Sequence, residues 1–463
     1  MKKLFSYNNK ILAGGLLIAF STLVSCKKLV ELPGNPPTQI TRQQAFSDSA
    51  STLSAVVGVY TYNQDNQGDG FAYSDANLTI ATGLSAHELS YTSSSDEQEF
   101  YSYTLTPLNS EVATLWQYPY ASLYQVNDVL GGITNNSNLS ASFVKQITGE
   151  MEVTRALYYF NLVNLFGSVP LVTSTDYVAN AQLPRASASA VYTQILTDLN
   201  NAVKKLPSTY PSSGHARPNL YTALALLAKV HLYQKNWQAA YNEADSIIRS
   251  GGYSLEPTLN NVFLDGSQEA IWQLPIESSY DGTAEAANFM PYSTGVTPTF
   301  PVTDSLLNQF ETGDQRKTNW LDTSVVGSQT LYYPYKYKDY YPTSPATDFM
   351  VFRLAEIYLI RAEAAAELGN LSAALADVNT IRARAGLGAS TANVTSQAAV
   401  LAAVMKERQT ELCFEWGNRW FDLNRTGKAA AELPGWQSFN ALFPLPQAQI
   451  QLNHLLTQNP GYH

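Results

Sequence analysis

The chain is poor in cysteine, since its 463 residues include only Cys26 and Cys413. Two cysteines cannot form the disulfide framework that holds small secreted domains together. A chain of this length can instead bury a large apolar core. We therefore expect its stability to come from core packing.

Basic residues are also scarce. Lysine and arginine number 28 against 38 acidic residues, which gives a formal net charge of −10 at pH 7. Nucleic-acid binding needs clustered Lys and Arg, so this balance argues against a nucleic-acid partner. Charged residues make up only 14% of the chain, whereas tyrosine numbers 29. Because tyrosine offers an apolar ring together with a hydroxyl, this composition suits neutral polar ligands.

The sequence lacks recognisable catalytic and metal-binding motifs. There is no nucleophile elbow and no phosphate-binding loop. A helical zinc site places two histidines four residues apart, and none of the five histidines is so placed: His87, His215, His231, His454 and His463. Asp65 to Gly70 resembles the start of a calcium loop, but Ala76 stands where the bidentate glutamate belongs. A plain turn and an ion site both stay open there, and we predict no catalytic residue, no metal and no cofactor.

Long apolar runs are missing after the N-terminus. Ile11 to Val24 is apolar over 14 residues, fewer than the ~17–25 that a membrane-spanning helix needs. Lys2, Lys3 and Lys10 precede this run, so the pattern indicates a signal peptide.

The end of this segment, Leu23-Val24-Ser25-Cys26, resembles a bacterial lipobox, in which cleavage precedes a cysteine that carries lipid. We predict a lipoprotein signal peptide over residues 1–25 and lipidation of Cys26. The alternative is an ordinary secretion signal with a chance cysteine. Residues 26–40 are rich in proline and polar residues, which predicts an extended tether.

Apolar residues at helical spacing predict a mainly α-helical protein. The predicted helices are 41–62, 111–133, 143–166, 189–206, 220–235 and 237–250. Two segments, 221–253 and 351–386, each predict an antiparallel helix pair of the tetratricopeptide period. We predict one domain over residues 41–463. It would have a tetratricopeptide-like helical-hairpin scaffold at 41–250 and 346–430, and a large loop-rich insertion at 251–345.

The segment 407–427, "ERQTELCFEWGNRWFDLNRTG", is the one most easily mistaken for a catalytic centre. Glu411, Glu415, Arg419 and Asp422 recur at three- and four-residue intervals, so on a helix they can pair with one another. We interpret them as structural ion pairs and Cys413 as a small core residue.

Several segments together resemble the SusD/RagB family of outer-membrane lipoproteins. They are the lipobox with "CKKLVELP", "TRALYYFNLVNLFGSVPLV" at 154–172, the 407–427 segment, and the ending "LFPLPQAQIQLNHLLTQNPGY". The resemblance implies a non-catalytic binding protein on the outer membrane. It would face the exterior, act as a lid on a SusC-like TonB-dependent transporter and deliver oligosaccharide to it. Lys27 and Lys28 stand where surface-exposed lipoproteins of this kind often carry acidic residues.

The resemblance also implies that ligand contacts come from the irregular region after the first helix and from the insertion. Aromatic rings there would stack on pyranose faces, and amides or carboxylates would hold the hydroxyls. The candidates are Phe71, Tyr73, Tyr91, Tyr280, Phe289, Tyr292 and Trp320 among aromatics, and Asn66, Asn77, Asp96 and Asn288 among polar residues. Any one aromatic could instead pack in the core. We expect at least two to lie exposed in one patch.

The leading hypothesis is therefore glycan binding without turnover. Three alternatives stay open: capture of peptides, scaffolding of a partner protein, and a lipid-anchored glycosidase. Carboxylates for the last exist in Asp96, Glu97 and Glu99, but nearness in sequence does not give the facing geometry that glycoside hydrolysis needs.

Overall fold

The computed structural model describes residues 40–62, 70–91, 95–276, 282–341 and 345–463. The signal peptide, Cys26 and the tether up to residue 39 lie outside these ranges. So do Asn66, Tyr280 and the start of the calcium-like loop. Within the described ranges, no helix is long and apolar enough to cross a membrane.

The protein is mainly α-helical, as predicted. The first half contains α1 (Arg42–Ala45), α2 (Ser49–Val59), α3 (Asn77–Ser85), α4 (Asp96–Ser102), α5 (Ser110–Ile133), α6 (Ala141–Phe166), α7 (Tyr177–Asn180), α8 (Ala188–Lys205), α9 (Leu220–Tyr233) and α10 (Trp237–Arg249). The second half contains β1 (Ala270–Leu274), α11 (Ala284–Phe289), α12 (Asp304–Leu307), α13 (Gln315–Asn319), β2 (Leu321–Val326), β3 (Gln329–Pro334), β4 (Phe349–Arg353), α14 (Leu354–Glu367), α15 (Leu371–Arg384), α16 (Gln397–Glu411), α17 (Asn418–Arg425), α18 (Ala429–Glu432) and α19 (Gln447–Leu452).

Helix α6 forms the centre of the first half. Nearly all of its residues from Ile147 onward are buried, and it packs against α5 and α8. Arg155 of α6 donates to Asp198 of α8 at 2.7 Å and to Asn127 of α5 at 3.1 Å. The helix ends at Gly167, where φ is 71°, so the predicted stop is confirmed.

The two predicted helix pairs are confirmed. Helices α9 and α10 pack on each other, α14 and α15 do the same, and α10 packs on α14. Arg361 of α14 joins the two pairs, because its guanidinium lies 2.7 Å from both Asp245 of α10 and Asp377 of α15. Helix α16 packs on α14 and α15 and extends the stack, as expected for a helical-hairpin scaffold.

Two antiparallel strand pairs lie outside this helical pattern. Strand β1 pairs with β4, and every residue of both strands is buried. Strands β2 and β3 form a hairpin within the insertion. The prediction that 351–386 is helical from its start is wrong at Val351 to Arg353, since these residues end β4 and lead directly into α14.

Two predicted helices are each broken in two. The predicted helix 41–62 divides into α1 and α2 because the Asp48 carboxylate accepts from the Ser51 amide at 2.9 Å and caps α2. The 407–427 segment divides at 412–417, where Phe414 and Trp416 have φ of 59° and 51°. A continuous helix is impossible there.

Candidate functional site

The two irregular regions expected to hold the site lie side by side. Leu89 forms an antiparallel bridge with Val302, and the Ser90 amide donates to the Pro301 carbonyl at 2.8 Å. Next to this bridge, Tyr91 stacks on Phe300 with ring centroids 5.2 Å apart. Chain segments more than 200 residues apart are thus packed against each other.

A cavity of about 120 Å³ opens beside this bridge. Its polar and aromatic lining comes from the starts of α3, α4 and α5, from the end of α11 and from the 300 loop: Asp75, Asn77, Glu97, Glu111, Asn288 and Phe300. Pockets that enclose a small ligand measure about 300–1,000 Å³. A ligand here would therefore lie across the opening rather than inside it. We call this opening the α11 cavity.

Carboxylates dominate the chemistry of the α11 cavity. Burial raises the pKa of Asp75 to about 6. Burial, followed by the neighbouring carboxylates of Glu97, Asp75 and Asp96, raises the pKa of Glu111. The Asn77 amide donates to Glu111 Oε2 at 2.9 Å, which turns the amide oxygen of Asn77 toward other donors.

Exposed aromatic residues lie next to both ends of α11. Tyr292, just after the helix, is 82% exposed. Before the helix, the Gly282 amide donates to the Tyr340 carbonyl at 3.0 Å, and the Tyr340 and Tyr341 rings meet at 5.0 Å. Sequence reasoning missed this second pair, although the doubled tyrosine before Pro342 was a visible signal. We call Tyr91, Asn288, Tyr292, Tyr340 and Tyr341, together with the α11 cavity, the α11 face.

Four of the six described aromatic candidates are buried, so the prediction that they present rings to a ligand is wrong. Phe71 is fully buried and meets Trp272 edge-on at 5.3 Å. Tyr73, Phe289 and Trp320 are each at most 3% exposed. Tyr292 is exposed and Tyr91 is half-buried. Among the described aromatic candidates Tyr292 alone is exposed, so the expected patch of two exposed candidates is not found there; Tyr340 and Tyr341, which were not candidates, are exposed.

Trp320 is buried because it covers a cluster of cations. Lys336 Nζ lies 4.4 Å from its ring centroid, and the guanidinium groups of Arg353 and Arg384 lie at 5.7 and 5.6 Å. Its indole N–H donates to the Leu259 carbonyl at 3.1 Å. The ring therefore stabilises cations inside the protein and cannot serve as a sugar platform.

The carboxylates of the 407–427 segment hold these cations. Glu411 is fully buried and accepts from Arg316, Arg353 and Arg384. Although burial alone would raise its pKa, Arg384, Arg353 and Arg316 hold the pKa well below its usual range. The structural interpretation of this segment is confirmed.

The predicted partners within that segment are wrong, because each charged residue pairs outside the predicted set. Glu415 accepts from Arg353 and Lys336, Arg419 donates to Glu432, and Asp422 accepts from Arg408 and Arg425. Cys413 is buried, as predicted.

The polar candidates divide between the site and the framework. Asn77 lines the α11 cavity, and Asn288 lines it and is exposed. The Asp96 carboxylate instead accepts from the Ser110 amide at 2.6 Å and joins α4 to α5. Within the described ranges, no group of three or more His, Cys, Asp or Glu residues could hold a metal.

A larger cavity of about 540 Å³ lies among helices of the scaffold. It is lined partly by Tyr233, Trp237 and Met405 and partly by Arg425. Glu363 and Asp422 hold the Arg425 guanidinium at 2.5 and 2.7 Å. None of the residues predicted to contact ligand lines this cavity.

Comparison with known proteins finds the same family over two parts of the chain. A model described as "SusD family" matches residues 322–435, and one described as "Starch-binding associating with outer membrane" matches residues 36–232. A SusD-like protein of Formosa agariphila is 26% identical over 96% of this chain and 98% of its own length. The starch-binding protein SusD of Bacteroides thetaiotaomicron is 33% identical over 26% of this chain and 22% of its own.

Solved structures give the same fold. A SusD superfamily protein from Bacteroides vulgatus superposes with a TM-score of 0.80, at 23% identity, over 90% of this chain and all of its own. A protein described as a laminarin-binding SusD-like protein superposes with a TM-score of 0.76, at 27% identity, over the same shares of the two chains.

Proposed function

The chain belongs to the SusD/RagB family, and from this membership and its α11 face we propose that it binds oligosaccharide or polysaccharide without catalysis. Relatives bind such ligands, since one is described as starch-binding and another as laminarin-binding. Their match to this chain supports a ligand of the same class.

The observation that carries the proposal is the arrangement of the α11 face. Exposed tyrosines lie on segments next to α11, and the end of α11 lines a shallow cavity that holds amide and carboxylate groups. A pyranose presents axial C–H groups that pack on a ring face, and its hydroxyls both donate and accept hydrogen bonds. Asn288 and Asn77 offer both kinds of partner within reach of one opening. An open face of this kind suits a polymer that extends beyond the site.

The carboxylates nearest the face support binding rather than hydrolysis. Glu111 accepts from Asn77 and Asp96 accepts from Ser110, so both side chains are held by the framework. A glycosidase needs two carboxyl groups that face each other across the scissile bond, about 5–10 Å apart. We propose no catalytic role for these residues.

We further propose that the protein is lipidated at Cys26, displayed on the outer face of the outer membrane and partnered with a SusC-like TonB-dependent transporter. The apolar run and lipobox at residues 11–26 support the anchor. The match to a family described as associating with the outer membrane supports the location. Handing ligand to a transporter requires release, and a shallow face gives the modest affinity that allows it.

Affinity electrophoresis of the purified full chain through gels containing a panel of polysaccharides tests the binding role. We expect at least one polysaccharide to retard the protein. Tyr292→Ala should weaken that binding by about 1–2 kcal/mol, roughly 5- to 30-fold, because one stacking ring is lost. Tyr177→Ala is the matched control, since Tyr177 is 79% exposed but lies on α7.

Three results would count against the proposal. Retardation by no polysaccharide would exclude glycan binding and favour peptide capture or scaffolding. Equal losses in the Tyr292 and Tyr177 variants would move the site away from the α11 face. Release of reducing sugar from any polysaccharide would establish an enzyme.

A further inference from the structure

The two stretches that supply the lining of the α11 cavity contain no basic residue. No lysine or arginine occurs between Arg42 and Lys145, or between Arg249 and Arg316. The same two stretches hold 19 of the chain's 38 acidic residues and none of its 28 basic ones. An even distribution would have given both stretches basic residues as well. Positive charge is therefore excluded from the stretches that line the cavity, whereas Tyr340 and Tyr341 of the α11 face follow Lys336 and Lys338.

The basic residues next in sequence after the insertion's acidic stretch are already committed to partners. Arg316 is 1% exposed and pairs with Asp314, Glu407 and Glu411. Lys336 is buried and donates to Glu415.

Two further lysines of the insertion are also engaged. Lys338, two residues before Tyr340, donates to Asn260 and to the Asn319 carbonyl at 2.8 Å. Lys317 lies 5.5 Å from the Tyr332 ring centroid. Neither lysine lines the α11 cavity.

The cavity itself is lined by negative groups. Asp75, Glu97 and Glu111 line it, and the Asp96 carboxylate acts on Glu111. A ligand carboxylate or sulfate placed here would meet like charge at short range, and none of the described residues that line the cavity is a cation.

We propose that the α11 face selects uncharged glycans and rejects uronic acid and sulfated polymers, an inference that rests on the proposed glycan-binding function. Coulomb repulsion between like charges near a protein surface is strong at contact distance and weakens with added salt. A neutral hydroxyl avoids this repulsion and gains hydrogen bonds to the carboxylates. The acidic lining is the specificity determinant, and Glu111 belongs to it because it lines the cavity and accepts from Asn77 at 2.9 Å.

The test compares one neutral polysaccharide with its own derivative oxidised to a carboxylate at C6, so that backbone and linkage are identical. Laminarin, and every other neutral polymer that retards the full chain in the electrophoresis screen, serves as the starting material. We expect at least about tenfold weaker binding of the oxidised form at low salt. Raising NaCl from about 0.01 M to about 1 M should reduce this ratio severalfold, because salt screens exposed charges.

Glu111→Gln tests the residue. It removes one charge but keeps an oxygen for Asn77, and the ratio of affinities for neutral and oxidised glycan should fall at least about threefold. Glu367→Gln is the matched control, since Glu367 is half-buried in the separate 540 Å³ cavity, and its ratio should equal that of the wild type. The salt dependence still decides the matter if the Glu111 variant does not fold.

The outcomes separate the two proposals. Equal or tighter binding of the oxidised glycan, or retention on alginate or polygalacturonate with none on neutral polymers, would overturn the selectivity while glycan binding stands. Absence of binding to neutral and charged glycans alike would overturn the proposed function and the selectivity together.

Discussion

Replacement of Trp320 by alanine tests whether this residue stabilises the core or contacts the ligand. This tryptophan is the aromatic that its place in the insertion makes most attractive as a sugar platform, yet its side chain is fully buried. Lys336 Nζ lies 4.4 Å from its ring centroid, and its N–H donates to Leu259. The substitution therefore removes core packing, a cation–π contact and a hydrogen bond, and it leaves every residue of the α11 face in place.

The structure sets the expected magnitude. Truncation of a fully buried tryptophan to alanine costs about 3–5 kcal/mol. The Leu259 carbonyl loses its donor, which is worth about 1 kcal/mol within that range. Lys336 keeps the Glu411 carbonyl at 2.8 Å and the Glu415 carboxylate as partners, so no buried cation is left unpaired. We expect the free energy of unfolding to fall by about 4 kcal/mol.

Urea denaturation followed by far-ultraviolet circular dichroism at 25 °C measures this loss. Tyr292→Ala is the opposite case. Loss of this exposed ring should change the free energy of unfolding by less than about 0.5 kcal/mol, but it should weaken glycan binding. The Trp320 variant should bind glycan with wild-type affinity per folded molecule. Two results would refute this reasoning. One is a loss of less than about 1 kcal/mol in the free energy of unfolding of the Trp320 variant. The other is weaker glycan binding by the Trp320 variant together with unchanged binding by the Tyr292 variant.

Three further predictions concern stability. Glu411→Gln should lower the free energy of unfolding in urea by about 3–5 kcal/mol, because it leaves buried guanidinium groups without a carboxylate to balance their charge. Glu432→Gln, which removes an exposed carboxylate, should lower it by less than about 1 kcal/mol. Equal losses in the two variants would contradict the buried cluster. Gly282→Ala should lower the melting temperature and weaken glycan binding. A Cβ at this position would lie 1.6 Å from the Asp339 carbonyl oxygen and push apart the segments beside α11. A variant indistinguishable from the wild type in both measurements would contradict that close approach. Burial raises the pKa of Glu285 to about 8, so above about pH 4.3 the folded state keeps a proton that the unfolded state has lost. The contribution of this group to stability should therefore fall as pH rises from about 4.3 to about 8. Glu285→Gln should flatten the pH dependence of the urea midpoint over that window, and an unchanged profile would contradict a protonated Glu285.

The helical scaffold was predictable because its signals are local. Helical spacing of apolar residues and the stop at Gly167 depend on positions a few residues apart. Strands β1 and β4 were not predicted, because both are wholly buried runs of five residues. Hydrophobic periodicity cannot distinguish such short runs from buried helix. The break at 412–417 was not predicted from the sequence. It depends on positive φ at Phe414 and Trp416, and neither residue type indicates positive φ.

The candidate site was predicted as a region, and the residues exposed within that region could not be predicted one by one. Asn77 and Asn288 line one cavity, and Tyr91 stacks on Phe300, which lines the same cavity. Phe71 and Trp320 occur in sequence contexts as polar as that of Tyr292, yet they face the core. Which face of a loop is buried depends on partners far away in the chain, such as Trp272 for Phe71. The resemblance to the SusD/RagB family therefore pointed to the segments, and only tertiary packing identified the exposed rings.

A crystal structure of the full chain with a bound neutral oligosaccharide tests the central claim most directly. The account predicts a sugar ring across the α11 face, in contact with the Tyr292 ring at about 4 Å and hydrogen-bonded to Asn288. A sugar bound instead in the 540 Å³ cavity beside Trp237 and Met405, with the α11 face unchanged, would contradict it.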